Sequence, residues 1–240
     1  MPSYSRLTWV ALLSTLFCAC ATTPVRRTEA EQRQAFSEIC SIGRGNQEVM
    51  GSVWMKVETP DEKGQFPAQL KAANSGQLNM EITNLVGGVE ATLKIHDGHY
   101  EVKWTGREQV VEKGTGQWRG IPLAWAVDLF LGRIPCPVTK GERRALKVEL
   151  DQGPEGQLIV RALYASHQTQ WTETFEYEMK TWAGKPWPVH LNWKKQGPGP
   201  TQVSFDFEDP SDHDAGPQKW SAVSDSGEVK IRWKDRSVSP

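Results

Sequence analysis

His96-Asp97-Gly98-His99 sets two imidazoles close together, a pairing that can begin a metal site. A usable zinc site needs at least three converging protein groups, and no third ligand stands nearby. Asp97-Gly98 is better explained as a two-residue hairpin turn. Gly114-Thr115-Gly116 has the glycines of a phosphate loop, but no Lys-Ser or Lys-Thr follows and no buried parallel strand precedes it. Asp212-His213-Asp214 begins like a calcium loop and lacks the continuation to a glutamate. No serine stands in Gly-x-Ser-x-Gly, and no cysteine has an obvious histidine partner. Carboxylates are scattered so evenly that no acid/base pair can be singled out. The residues therefore point to no catalytic group, no metal ligand and no cofactor, and the chain is expected not to be an enzyme.

The cysteines carry the remaining covalent chemistry. Residues 1–19 follow the plan of a secretory signal: Arg6, an apolar stretch from Leu7 to Phe17 too short to span a bilayer stably, then small residues. Phe17-Cys18-Ala19-Cys20 resembles a bacterial lipobox, which implies cleavage before Cys20 and acylation of that residue. The alternative is an ordinary cleaved signal releasing a soluble periplasmic protein. Two or more acyl chains hold a protein on a membrane essentially permanently, at about 0.8 kcal/mol per buried CH2. Residues 20–27 would form a lipidated tether. Ala21, in place of an Asp, is similar to lipoproteins sent to the outer membrane. Cys40 and Cys136 remain, and an oxidising periplasm leaves two readings open: a bridge, or two unpaired buried thiols.

Composition excludes other classes. With 28 basic and 29 acidic residues and a formal net charge of -1, the chain offers no basic stripe for nucleic acid. Its 240 residues suffice for a short anchor and one domain, 28–240, expected to be a monomer. The 11 Trp against 4 Tyr suit either bulky core filling or an oily binding surface.

The elements that position these residues are strands. Thr28-Glu29-Ala30-Glu31 has capping-box spacing and predicts a helix over about 29–41. From residue 48 onward apolar residues alternate: Val53, Met55, Val57; Phe66, Leu70; Leu78, Met80, Ile82; Val89, Leu93, Ile95; Tyr100, Val102, Trp104. After a break come Leu146 to Leu150, Leu158 to Tyr164, Trp171 to Met179, Val189 to Trp193, Val203 to Phe207 and Val229 to Trp233, about eleven antiparallel strands in all. The segment from Glu208 to Pro217 reads as a polar loop. In the break lies the one strongly apolar helix candidate, about 121–132, with Leu123, Val127 and Phe130 on one side. Strands with a single apolar face must bury it, and the simplest assembly is a curved antiparallel half-barrel wrapped around that helix as a lid over an apolar cavity.

Three places together resemble the LolB family, outer-membrane receptors that accept lipoproteins from a periplasmic carrier. They are the lipobox with Ala21; Thr83-Asn84-Leu85-Val86-Gly87-Gly88, similar to a family turn whose protruding Leu is linked to membrane insertion; and Gly120-Ile121-Pro122-Leu123 through Leu131-Gly132-Arg133-Ile134-Pro135, similar to the family's lid helix. Leu85 stands in place of the family's Pro and Val86 in place of its Leu, so ordinary hairpin packing remains the other reading of that tip. Leu129 stands where the family often has Trp. The resemblance implies a lipid-anchored protein on the periplasmic face of the outer membrane that binds lipoprotein acyl chains delivered by a carrier and passes them to the bilayer. The expected lining is Met55, Leu70, Met80, Ile82, Leu93, Ile95, Phe175, Tyr177 and Phe205. The alternatives are a carrier for another lipid or hydrophobic ligand, and a structural envelope lipoprotein with a filled interior.

Overall fold

A computed structural model describes residues 28–60, 63–106, 111–118, 120–137, 144–153, 158–166, 171–197, 199–212 and 216–239. The signal, the tether and Cys20 lie outside the described residues.

Helix α1 spans Glu29–Ser41 and is capped by Thr28 through a complete capping box, the Glu31 carboxylate accepting from the Thr28 N–H at 2.6 Å. Six strands follow as a meander: β1 (Glu48–Glu58), β2 (Lys63–Ala73), β3 (Gln77–Thr83), β4 (Val89–His96), β5 (His99–Trp104) and β6 (Val111–Thr115). A ribbon of β7 (Gln117–Trp118) and β8 (Ile121–Pro122) leads into α2 (Leu123–Phe130). The second meander is β9 (Arg144–Gln152), β10 (Leu158–Ser166), β11 (Trp171–Trp182), β12 (Lys185–Gln196), β13 (Thr201–Asp212), β14 (Gly216–Ser224) and β15 (Gly227–Ser239).

The meanders fuse because the last strand pairs with the first, Glu48 opposite Ser239 through Glu58 opposite Glu228. The result is a 13-stranded antiparallel sheet with β6 and β9 at opposite edges. The connection from β6 to β9 must cross from one edge to the other, and it crosses the apolar face, carrying α2 with it. The sheet is open and curled. Residues of β6 and β14 line one cavity although the two strands stand first and eighth in order, a separation of roughly 34 Å in a flat sheet at about 4.8 Å per strand.

Three expectations need correction. The sheet has 13 strands rather than about eleven, the two additional ones being β6 and β14. On β6 the positions sharing a face with Tyr100 and Val102 are Gly114 and Glu112, so no apolar pattern marks it. β13 and β14 also take up much of the segment from Glu208 to Pro217 read as a polar loop. The helix is shorter than 121–132: Ile121–Pro122 belong to the ribbon, and Gly132, at φ 79°, turns the chain out. There Arg133 N–H donates to the Asp128 carbonyl at 2.8 Å, the closure of a left-handed C-terminal cap.

Candidate binding cavity

The interior divides into a solid half and a hollow half. Trp125 of α2 fills the first, edge-on to Trp193 at 4.6 Å and to Phe175 at 5.6 Å, with Phe205 at 6.3 Å. Phe130 packs likewise against Trp220 at 5.4 Å and Trp233 at 6.3 Å. Leu123, Val127 and Leu129 are buried as well, so only a narrow stripe including Ala124 and Asp128 reaches solvent. A helix apolar on nearly every side belongs in a core, and α2 is therefore a plug, its rings set among the second meander's aromatics and its backbone near β2, rather than a one-sided cover.

Beside the plug, under the first meander, lies a cavity of about 470 Å³. Met55 and Val57 from β1, Phe66 from β2, Ile82 from β3, Leu93 from β4 and Val102 and Trp104 from β5 supply its apolar wall. Trp118 and Ile121 of the ribbon close one side, and Ala222 and Val229 the other. Of the expected lining residues, the structure places Met55, Ile82 and Leu93 on this wall. Leu70, Met80 and Ile95 are buried in the core and do not line it. Phe175, Tyr177 and Phe205 belong to the solid half: Phe175 stacks on Tyr177 and Phe205 on Phe207, and Phe175 and Phe205 meet Trp125 of the plug edge-on. Period-two alternation assigns a residue to a face and says nothing about what fills the space opposite it. Trp118, Trp104 and Val229 were absent from the expected lining, since the first lies in a two-residue strand and the others at strand ends.

The plug is fastened at one end. A disulfide joins Cys40 of α1 to Cys136, with Cα atoms 5.9 Å apart. Asn46 Nδ2 donates to the Leu131 carbonyl at 2.7 Å, and Arg133 donates to Asp128 at 3.1 Å and to the Asn46 carbonyl at 2.7 Å. Burial raises the Asp128 carboxyl above its ordinary range, with Arg133 opposing that shift. Backbones here meet without side chains: a Cβ on Gly43 or Gly216 would lie 2.5 Å or 2.0 Å from the Gly132 carbonyl oxygen. At the other end α2 is held by the ribbon and by the Leu123 N–H donating to the Gly116 carbonyl at 3.0 Å.

Near the cavity, the turn between β3 and β4 carries Leu85 and Val86 at 79% and 92% exposure. The Asn84 side chain orders this tip. Its Oδ1 accepts from Val86 N–H at 3.1 Å and Gly88 N–H at 2.8 Å, and its Nδ2 donates to Glu90, a cavity residue, at 2.9 Å. Two adjacent apolar side chains are thus held in water by a built turn.

His96 and His99 face each other across the β4–β5 hairpin, whose turn residues Asp97 and Gly98 have φ of 49° and 72°. No group of three or more metal-ligating side chains occurs among the described residues. On the sheet face away from the cavity, His190 Nδ1 lies 2.7 Å from Asp206, which also accepts from the Ser221 hydroxyl at 3.2 Å. The carboxylate stands between the other two, so this histidine is not placed as a base for that serine.

No family model matches the sequence, and comparison with curated proteins finds no match. Solved structures do match. A LolA superfamily protein from Nitrosomonas europaea superposes with a TM-score of 0.50 at 10% identity, over 89% of this chain and 94% of that one. A DUF1329 family protein from Desulfovibrio piger gives 0.54 at 8% identity, over 88% and 93%. At such low identity the likeness is one of fold: the chain has a LolA-type architecture, an open antiparallel sheet curled around a helix.

Proposed function

We propose that this protein is a lipid-anchored, non-catalytic envelope protein that shelters an acyl chain in the hollow half of its trough and yields it to a membrane. The observation that carries the reading is the apolar cavity beside a plug helix, with the ordered Leu85-Val86 tip close by. At roughly 30 Å³ per water-sized group, the cavity's 470 Å³ holds on the order of fifteen methylenes. Removing that many from water at about 0.8 kcal/mol each gives a gross gain of ~12 kcal/mol, part of which is lost in ordering the ligand. Cys20 is the proposed anchor and the periplasmic face of the outer membrane the proposed site. The LolB-like motifs support a lipoprotein as the cargo, received from a periplasmic carrier.

The cavity volume favours a second reading: space for one chain suits a carrier of a single-chain lipid without any enlargement, whereas a multiply acylated lipoprotein requires the ribbon end of α2 to move. Replacing Leu85 and Val86 together by Glu tests delivery. Chain capture should be retained and transfer to liposomes lost. Unchanged transfer would remove the tip from the mechanism.

A further inference from the structure

The apolar wall has a polar corner built from three residues. Glu112 stands opposite Val102 in the β5–β6 pairing, and directly opposed residues share a face, so its carboxylate lies on the cavity side. Tyr100 stands opposite Gly114, whose missing side chain makes room for the tyrosine ring: a Cβ there would lie 2.4 Å from it. The ring thereby lies across Gly114 and its hydroxyl donates to Glu112 Oε1 at 3.0 Å. Trp118 packs at 6.2 Å from the Tyr100 ring, lines the cavity, and keeps its indole N–H buried without a hydrogen-bond partner. A buried donor without an acceptor is costly, and a ligand oxygen that moved aside the neighbours covering this N–H would relieve that cost. The other charged residues on its border, Glu90 and Glu228, are also acidic, the second paired with Lys230 at 2.9 Å, and among the described residues no Lys, Arg or His lines the cavity.

From this corner we infer that the cavity selects an uncharged single-chain amphiphile, an acyl ester or amide whose polar end carries a hydrogen-bond donor, and turns away carboxylate- and phosphate-ended lipids. The inference rests on the acyl-binding reading above and adds the chemistry of the ligand's head. The ester or amide oxygen would accept from Trp118 and the head's hydroxyl or N–H would donate to Glu112. An anionic head would instead meet a carboxylate, with no cation among the described lining residues to balance it.

The test is displacement of Nile red, a neutral dye, from the full chain at neutral pH by 1-lauroylglycerol, laurate and dodecyl phosphate, which carry equal chains. The expected result is that 1-lauroylglycerol displaces the dye at a tenth or less of the concentration the two anions need. Glu112→Gln should narrow that gap at least threefold by strengthening laurate, and Trp118→Phe should weaken 1-lauroylglycerol at least threefold. Anions that displace as well as the glycerol ester overturn the inference on the unaltered chain, whatever the variants do, while leaving chain binding intact. If none of the three displaces the dye, the acyl-binding reading itself falls.

Discussion

Replacing both Cys40 and Cys136 by Ser separates what holds the fold from what holds the ligand. The bridge spans a sequence separation of 96, enclosing the first meander, the ribbon and α2 in one covalent loop. The chain-entropy relation gives roughly 4.7 kcal/mol for a loop of about 100 residues, and measured values commonly fall to about 2–4 kcal/mol. At about 2–4 °C per kcal/mol for a domain of this size, the unfolding midpoint should drop by on the order of 10 °C. The local geometry of the plug should survive, because Asn46, Arg133 and Asp128 still fasten its exit, and the Tyr177 hydroxyl still donates to the Pro135 carbonyl at 2.9 Å. Calorimetry of the two proteins should therefore show a large shift, while Nile red affinity changes less than twofold. A midpoint lowered by only a degree or two would refute the loop argument. Lost dye affinity in a folded double variant would refute the claim that the non-covalent anchors suffice.

Three further outcomes follow from particular residues. Ala183→Gly should raise stability by about 0.5–1 kcal/mol, since Ala183 sits at φ 47° in the β11–β12 turn, where a side chain costs more than glycine's added freedom in the unfolded chain; urea midpoints measure it, and a lower midpoint contradicts it. Trp125→Ala should cost about 3–5 kcal/mol, as for other large buried aromatics, by emptying the solid half; a loss below 1 kcal/mol would show that the Trp193–Phe175–Phe205 cluster does not depend on the plug. The third concerns pH. The folded protein holds a proton on Asp128 more tightly than the unfolded chain does, so its contribution to stability falls as pH rises from the ordinary carboxylate value of 3.8 through the raised folded value. Relative to Asp128→Asn, the parent should gain stability on acidification across that window, and a parallel pair of stability-versus-pH curves would refute the assignment.

The sheet was largely legible because one-sided burial imposes a period of two, and the Asp97-Gly98 turn announced its hairpin through residues that accept positive φ. The first helix was legible through Thr28 and Glu31. Ala183-Gly184 makes a turn of the same kind but starts with a residue that ordinarily avoids it, so nothing marked it. β6 was hidden because its inward positions hold Glu112 and Gly114, the one polar and the other yielding room to Tyr100. The division between solid and hollow was not legible at all. Met55 and Phe175 follow the same alternation, and what separates them is Trp125, which reaches one side of the trough and leaves the other open. Trp125 itself lies off the stripe of Leu123, Val127 and Phe130, and a one-sided reading of the helix gives it no role.

The central claim is that an acyl chain occupies the space under the first meander. A crystal structure with 1-(12-bromododecanoyl)glycerol measures this directly, because the bromine marks the chain end. Its anomalous peak should lie inside the cavity bounded by Met55, Leu93 and Ala222. A peak on the outer face of the sheet, or at the Leu85-Val86 tip with the cavity empty, would contradict it.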